Sequence, residues 1–252
     1  MTNLFPLITA HSGCMNTPDN SLLSVQTGLL LGADIIEEDV LVTKDGIPVL
    51  AHDDKRTMPS GREFTISELS YEEIAELQLQ ADRDEQGDTP RLCRLEEMLP
   101  LIKASGKMAN LDLKADDCIE AVAKFASKHG VLEHVFLSGC ETERALKAQS
   151  YPELKKLLNA KSDLFVTMKY EAAVVQTCKD ALEASCFGIN INYKFVRPEL
   201  VEYASSKGLP VYVWTVNEEA LMEDFIGMGI ASITTRNVEE LVRLKRRMLE
   251  VE

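Results

Sequence analysis

Positive charge is scarce in this sequence. Against 41 aspartates and glutamates stand 27 lysines and arginines, a formal net charge of −14. So acidic a chain is a poor electrostatic match for phosphate backbones or anionic lipid, which argues against nucleic-acid binding. Long apolar runs are also missing. None approaches the roughly 20 residues that a membrane span requires, and the opening MTNLFPLITAHSG shows no basic stretch followed by an apolar one, so no signal peptide is expected. The six cysteines (Cys14, Cys93, Cys118, Cys140, Cys178 and Cys186) form neither a CxxC pair nor a zinc-ligand spacing. Reduced, mostly buried thiols in a cytoplasmic protein are the expectation. Repeats and low-complexity segments are absent as well, and a 45% hydrophobic, 27% charged composition excludes a disordered chain.

What is present is an alternation. Short apolar, β-branched runs read as strands at 4–10, 33–42, 46–51, 108–113, 134–138, 164–168, 187–191, 210–215 and 231–234. Between most of them lie segments with helical apolar spacing. Pro18-Asp19-Asn20-Ser21 supplies capping residues for the first helix, and Pro198 and Gly208 bracket a later one. Roughly eight strands, nearly all followed by helices, predict a parallel sheet. With 252 residues, the count favours a single closed (β/α)8 TIM barrel over the whole chain. The stretch 53–89 breaks the rhythm. It holds Met58-Pro59-Ser60-Gly61, a short helix near 72–79 and a charged run over 81–88. It is too short to build its own core, and reads as a small insertion after the second strand.

In such a barrel the chemistry sits at the C-terminal strand ends. Those ends carry His11-Ser12-Gly13, Glu37-Glu38-Asp39, His52-Asp53, Asn110-Leu111-Asp112-Leu113-Lys114 and Trp214-Thr215-Val216-Asn217. Residues two apart on a strand share a face. Glu37 therefore points with Asp39, and Asn110 with Asp112 and Lys114. If both sets point inward, three carboxylates meet two histidines and a lysine. Carboxylate oxygens suit Mg²⁺ or Ca²⁺, histidines suit proton transfer near neutral pH, and a lysine suits an anionic substrate. Spacing alone reaches a barrel with a candidate metal site and does not name a reaction.

Taken in order, these segments resemble a known family. His11-Ser12-Gly13, Pro18-Asp19-Asn20-Ser21, GADIIEEDV over 32–40 and TKDGIPVLAHD over 43–53 resemble the glycerophosphodiester phosphodiesterase pattern: His-Arg-Gly, Pro-Glu-Asn-Thr, Gly-Ala-Asp-x-Ile-Glu-x-Asp-Val and Thr-x-Asp-Gly-x-x-Val-x-x-His-Asp. The likeness runs on through Leu95-Glu96-Glu97, Asp112-Leu113-Lys114 and Val213-Trp214-Thr215-Val216-Asn217. The resemblance implies a TIM barrel that cleaves glycerophosphodiesters to sn-glycerol 3-phosphate and an alcohol. It implies one divalent cation, Mg²⁺ or Ca²⁺, held at Glu37, Asp39 and Asp112. It implies acid–base catalysis by His11 and His52, a phosphate contact from Lys114 and an aromatic wall at Trp214. The expected partner is a small glycerophosphodiester, with no nucleic acid and no membrane span.

Several positions depart from that pattern. Ser12 stands where the family has a phosphate-binding arginine, so a substrate-binding position passes to a hydroxyl that lacks the charge and the fork of a guanidinium. Asp112 replaces glutamate, Gly139-Cys140 replaces Ser-Phe, and Thr235-Arg236 replaces Thr-Asp. Arg236 or Arg94 would have to supply the missing guanidinium. The retained residues point to an active phosphodiesterase. The departures keep open a substrate-binding or weakly active barrel of the same family, or a phospholipid-type lyase.

Overall fold

The structure is a computed structural model that describes residues 5–58, 61–84 and 91–250. Eight parallel strands form the barrel: β1 (Leu7–Ala10), β2 (Ile35–Val42), β6 (Met108–Leu113), β7 (Val135–Ser138), β8 (Leu157–Asn159), β9 (Gly188–Asn192), β10 (Val211–Trp214) and β11 (Ser232–Thr235). They pair in the order β7-β6-β2-β1-β11-β10-β9-β8. A parallel bridge from Leu137 to Lys156 nearly closes the ring between β7 and β8. A short β3 (Pro48–Leu50) runs back antiparallel along β2. The stretch after it forms a separate hairpin, β4 (Lys55–Thr57) with β5 (Glu63–Thr65). Helix α2 (Tyr71–Asp84) follows the hairpin. Leu41, Val49, Ala51, Ile66, Ile74 and Leu92 pack in one apolar cluster, which ties this excursion to β2 and β3. Residues 59, 60 and 85–89 of the expected irregular stretch lie outside the described residues.

The outer layer is α1 (Leu22–Leu31), α3 (Leu95–Ser105), α4 (Cys118–His129), α5 (Thr142–Lys147), α6 (Ser162–Thr167), α7 (Tyr170–Glu183), α8 (Pro198–Ser206), α9 (Glu219–Gly227) and α10 (Val238–Leu249). Helix α1 shows how the sequence sets this layer. The Ser21 Oγ accepts from the Ser24 N–H and caps its start, and Gly32, in the left-handed region, ends it. Gly28 lets α1 press against the barrel: a Cβ there would lie 2.8 Å from both Ala10 Cβ and Ile36 Cδ1. Fully buried residues such as Ile8, Ile36 and Leu111 fill the seam between strands and helices, each contributing about 1.5–3 kcal/mol by leaving water.

One sequence expectation fails here. The run Leu164–Met168, read as the fifth strand, is helical, within and just past α6. The strand is instead Leu157–Asn159. A short apolar run does not by itself distinguish strand from helix, and β8 has only two apolar residues to betray it. All six cysteines are free and buried. Among the described residues no helix is long and apolar enough to cross a membrane.

Ile35, Phe136, Leu157 and Tyr212 plug the N-terminal end of the barrel. Phe136, Phe187 and Tyr212 meet edge to face there, with centroids 5.5–6.1 Å apart. This apolar plug leaves the polar inward residues at the opposite, C-terminal end.

Candidate active site

At that end lies an open cavity of about 860 Å³. Its charged side is built by β2 and β6 in register, with Glu37 opposite Asn110 and Asp39 opposite Asp112. Glu37, Asp39 and Asp112 each offer an oxygen, all within 4.8 Å of one another. Asn20 holds Asp39 from both ends: its Nδ2 donates to Asp39 Oδ2 at 3.0 Å, and its Oδ1 accepts from the Asp39 N–H at 3.0 Å. Lys114 Nζ lies 2.8 Å from Asp39 Oδ1 and 3.3 Å from Asp112 Oδ2.

Burial pushes the Glu37 carboxyl well above its ordinary range, and the charges of Asp39, Asp112 and Glu38 push the same way. Burial likewise raises Asp112. Burial alone would lower Lys114, but Asp112 and Asp39 outweigh it and hold the ammonium charged. Asp112 Oδ1 is buried without a hydrogen-bond partner. Three converging carboxylates, one with an orphaned oxygen, are the donor set that a hard divalent cation selects.

Both candidate histidines line the same cavity. His11 Nδ1 lies 2.8 Å from the Ser12 carbonyl oxygen and 3.8 Å from Glu37 Oε2. A carbonyl only accepts, so Nδ1 carries the proton and Nε2 is left with its lone pair in the neutral ring. Burial lowers the His11 pKa despite that hydrogen bond, and Arg236 lowers it further. His52 is exposed on the turn after β3, its Nδ1 2.9 Å from Asp53 Oδ1. That carboxylate orients the ring as the Ser12 carbonyl orients His11.

Ser12 does not line the cavity. It is buried, donates from Oγ to Glu38 Oε2 at 2.8 Å, and accepts the Asn20 N–H at 2.6 Å. Strand alternation explains this: Glu38 points away from the face shared by Glu37 and Asp39. Burial drives Glu38 up to about 8, and its Oε1 has no partner.

Of the two candidate arginines, Arg236 lines the cavity, its Nη2 2.9 Å from Asp19 Oδ1. Arg94 does not line it. It pairs with Glu96 at 2.5 Å and lies over the Tyr71 ring. Arg144 was not singled out from the sequence, yet it lines the cavity. It donates to the carbonyls of Leu113 and Gly139, both at 2.6 Å, and to Asp116 at 2.8 Å. It therefore ties the ends of β6 and β7 together, and only the folded loop arrangement reveals that task.

The other side of the cavity carries no charge along its strands. Ser138, Asn159, Asn190, Trp214 and Thr234 line it. Gly139, just past β7, has φ +69, and a Cβ there would lie 2.0 Å from Asp112 Oδ1 and 2.4 Å from the Leu113 carbonyl. Glycine at this position is therefore what allows the two sides to meet. Asn159 and Asn190 escaped the sequence reading. Misplacing the fifth strand hid Asn159, whereas inward alternation along β9 was the available signal for Asn190.

The chain is similar to known proteins over almost its whole length. The chain is 28% identical over 247 residues to a glycerophosphodiester phosphodiesterase of Caldanaerobacter subterraneus subsp. tengcongensis, covering 96% of this chain and 98% of that one. It is 25% identical to a glycerophosphodiester phosphodiesterase of Bacillus subtilis, covering 95% of this chain and 86% of that one. The fold is shared with an Oleispira antarctica phosphodiesterase solved in complex with the product sn-glycerol-3-phosphate, at TM-score 0.76, 21% identity and coverage of 96% and 97% of the two chains. It is shared equally with a glycerophosphodiester phosphodiesterase of Thermotoga maritima, at TM-score 0.76, 18% identity and coverage of 96% and 98%. The model of the glycerophosphoryl diester phosphodiesterase family matches residues 11–240. That span begins at His11 and takes in every strand-end residue described above, and the chain accordingly belongs to the glycerophosphoryl diester phosphodiesterase family.

Proposed function

We propose that the protein hydrolyses glycerophosphodiesters to sn-glycerol 3-phosphate and an alcohol, by histidine acid–base catalysis beside a bound divalent cation. The observation that carries this reading is that His11, His52, Lys114 and the three-carboxylate cluster open on one cavity. Glu37, Asp39 and Asp112 would hold Mg²⁺ or Ca²⁺, which supplies Lewis-acid neutralisation of charge on the phosphoryl oxygens. Lys114 adds a fixed cation beside that cluster, and Arg236 a second at the rim.

His11 has the features of a general base: Nδ1 is committed to a carbonyl, and the lowered pKa keeps Nε2 unprotonated near neutrality. It takes the proton of the nucleophile as the new P–O bond forms; where that nucleophile is a neighbouring substrate hydroxyl rather than water, the cyclic phosphate formed is opened in a second step by water, whose attack breaks the ring P–O bond and yields sn-glycerol 3-phosphate. His52, oriented by Asp53, delivers a proton to the departing alkoxide as the ester P–O bond breaks. Trp214 provides an aromatic wall on the cavity. Ser12 has no contact role in this scheme, because its hydroxyl serves Glu38 and the Asn20 backbone.

The test is release of sn-glycerol 3-phosphate from glycerophosphocholine after EDTA treatment, with and without added Mg²⁺ or Ca²⁺. Release that depends on the added ion supports the reading. No release under any of these conditions sinks it, and a cyclic phosphate as the final product would favour a lyase.

A further inference from the structure

Ser12 stands where the resembled family has an arginine, yet it is buried, 1% exposed. A serine offers one N–H, one carbonyl and a hydroxyl that both donates and accepts. At Ser12 all four capacities are used, each on a different group. The N–H donates to Glu37 Oε2 at 3.3 Å. The carbonyl oxygen accepts from His11 Nδ1 at 2.8 Å. The hydroxyl donates to Glu38 Oε2 at 2.8 Å and accepts the Asn20 N–H at 2.6 Å.

Asn20 passes the last of these contacts on. It is 7% exposed, with φ +56, a left-handed conformation that asparagine adopts more readily than most residues. Such a conformation persists where the surroundings over-determine it. The Ser12 hydroxyl fixes its N–H, and its amide faces Asp39 from both ends: Nδ2 donates to Oδ2, and Oδ1 accepts the Asp39 N–H, both at 3.0 Å. A continuous line of hydrogen bonds therefore runs from Glu38 through Ser12 Oγ and Asn20 to Asp39. It starts and ends on adjacent residues of β2, whose side chains leave opposite faces of the strand. The Gly13 N–H, donating to Ser24 Oγ at 2.9 Å, ties the same turn to α1.

This line bears on a crowded group. Glu37, Asp39 and Asp112 bring oxygens within 4.8 Å of one another, and like charges so close repel. Ser12 reaches Glu37 directly and Asp39 through Asn20. The third carboxylate, Asp112, has Lys114 Nζ at 3.3 Å.

We propose that Ser12 is a positioning residue of the cation site: its N–H sets Glu37, and its hydroxyl, anchored on Glu38, sets Asp39 through Asn20. The proposal rests on the cation site of the reading above, but not on the reaction. It gives Ser12 a task unlike that of a phosphate-binding arginine. Loss of the hydroxyl should loosen the cation and leave contact with the phosphate alone.

The test measures the Kd of Mg²⁺ and Ca²⁺ by calorimetry, without substrate, on protein stripped with EDTA and dialysed. Residues that orient metal ligands typically govern affinity by tenfold or more, so Asn20→Ala should weaken binding about tenfold and Ser12→Ala, one contact further away, about threefold. Because the hydroxyl acts through Asn20, the double variant should bind as Asn20→Ala does. Glu38→Gln keeps an acceptor for Ser12 Oγ and should keep the wild-type Kd, whereas Glu38→Ala should match Ser12→Ala. In turnover of glycerophosphocholine, Ser12→Ala should need more Mg²⁺, with KM for the diester unchanged once the ion saturates. Melting in EDTA checks that each variant is folded; if Asn20→Ala does not fold, Ser12→Ala and the two Glu38 variants decide.

Wild-type Kd values in Ser12→Ala, losses that multiply in the double variant, or a KM that stays raised at saturating Mg²⁺ overturn the positioning role. A wild type that binds neither ion also overturns it. No turnover of glycerophosphocholine, with the pattern of Kd values intact, overturns the phosphodiesterase reading and leaves the positioning role standing.

Discussion

The two sides of the cavity solve opposite problems with the same backbone. On the β1, β2 and β6 side, three carboxylates lie within 4.8 Å of one another. Their burial and mutual repulsion raise Glu37 and Asp112. On the β7, β8, β9 and β10 side the strands present amides, a hydroxyl and an indole, none of them charged. The charged side holds three mutually repelling carboxylates, a repulsion that the single ammonium of Lys114 offsets only in part. The neutral side is short only of hydrogen-bond partners. The first condition suits chemistry on a phosphate, and the second suits recognition of a neutral group. Gly139 stands where they meet, because any side chain there would collide with Asp112.

The largest expected effect lies on the charged side. His11→Ala should lower kcat on glycerophosphocholine about 10²–10⁴-fold, a greater loss than any single substitution on the neutral wall. Full activity in His11→Ala would refute the acid–base assignment and erase the contrast between the sides.

Next comes stability. Added Mg²⁺ or Ca²⁺ should raise the wild-type Tm by binding the folded state. Asp112→Asn should abolish that rise. Without the ion it should melt at or above the wild type, since one of three repelling charges is gone. Thermal melts with EDTA and with each ion measure both; an unchanged ion-induced rise in Asp112→Asn would remove it from the ligand set.

Arg236 tests whether cations matter at the rim. Arg236→Ala should raise KM several-fold with little change in kcat, as expected for a guanidinium that contacts a phosphate oxygen. Unchanged KM and kcat would make it a surface partner of Asp19 and nothing more.

The smallest effect concerns Glu38, behind the charged side. Its folded pKa of about 8 exceeds the ordinary 4.5. Above pH 4.5 the unfolded chain ionises this group while the folded chain keeps it protonated. Stability from it is therefore full below pH 4.5 and is lost as pH rises towards 8. Glu38→Gln lacks that slope, so its Tm advantage over the wild type should grow from pH 5 to pH 8 in the presence of chelator. A pH-independent difference would show that Glu38 is ionised throughout.

Much of this molecule was legible without coordinates. Alternating strands and helices foretold the eight-stranded barrel. The period-2 rule foretold that Glu37 joins Asp39 and that Asn110 and Asp112 share a face, because side-chain alternation is a local property of extended backbone. Legibility failed where several segments compete or converge. Leu164–Met168 looked more like a strand than Leu157–Asn159, and which of them enters the barrel is decided by packing beside β7 and β9. Ser12 looked like a phosphate contact by position, yet its short side chain satisfies Glu38 instead. Arg94 and Arg236 looked alike, and only the folded loops place Arg236 on the cavity.

The sequence by itself therefore determined the scaffold, the acidic strand-end pattern and the scarcity of cations, since periodicity and composition are properties of short segments. Tertiary structure alone decided that the histidines share a cavity with three carboxylates, that Arg144 ties β6 to β7, and that a wall of neutral amides faces the charged cluster. Those arrangements depend on the register of strands far apart in the chain, which no local pattern encodes.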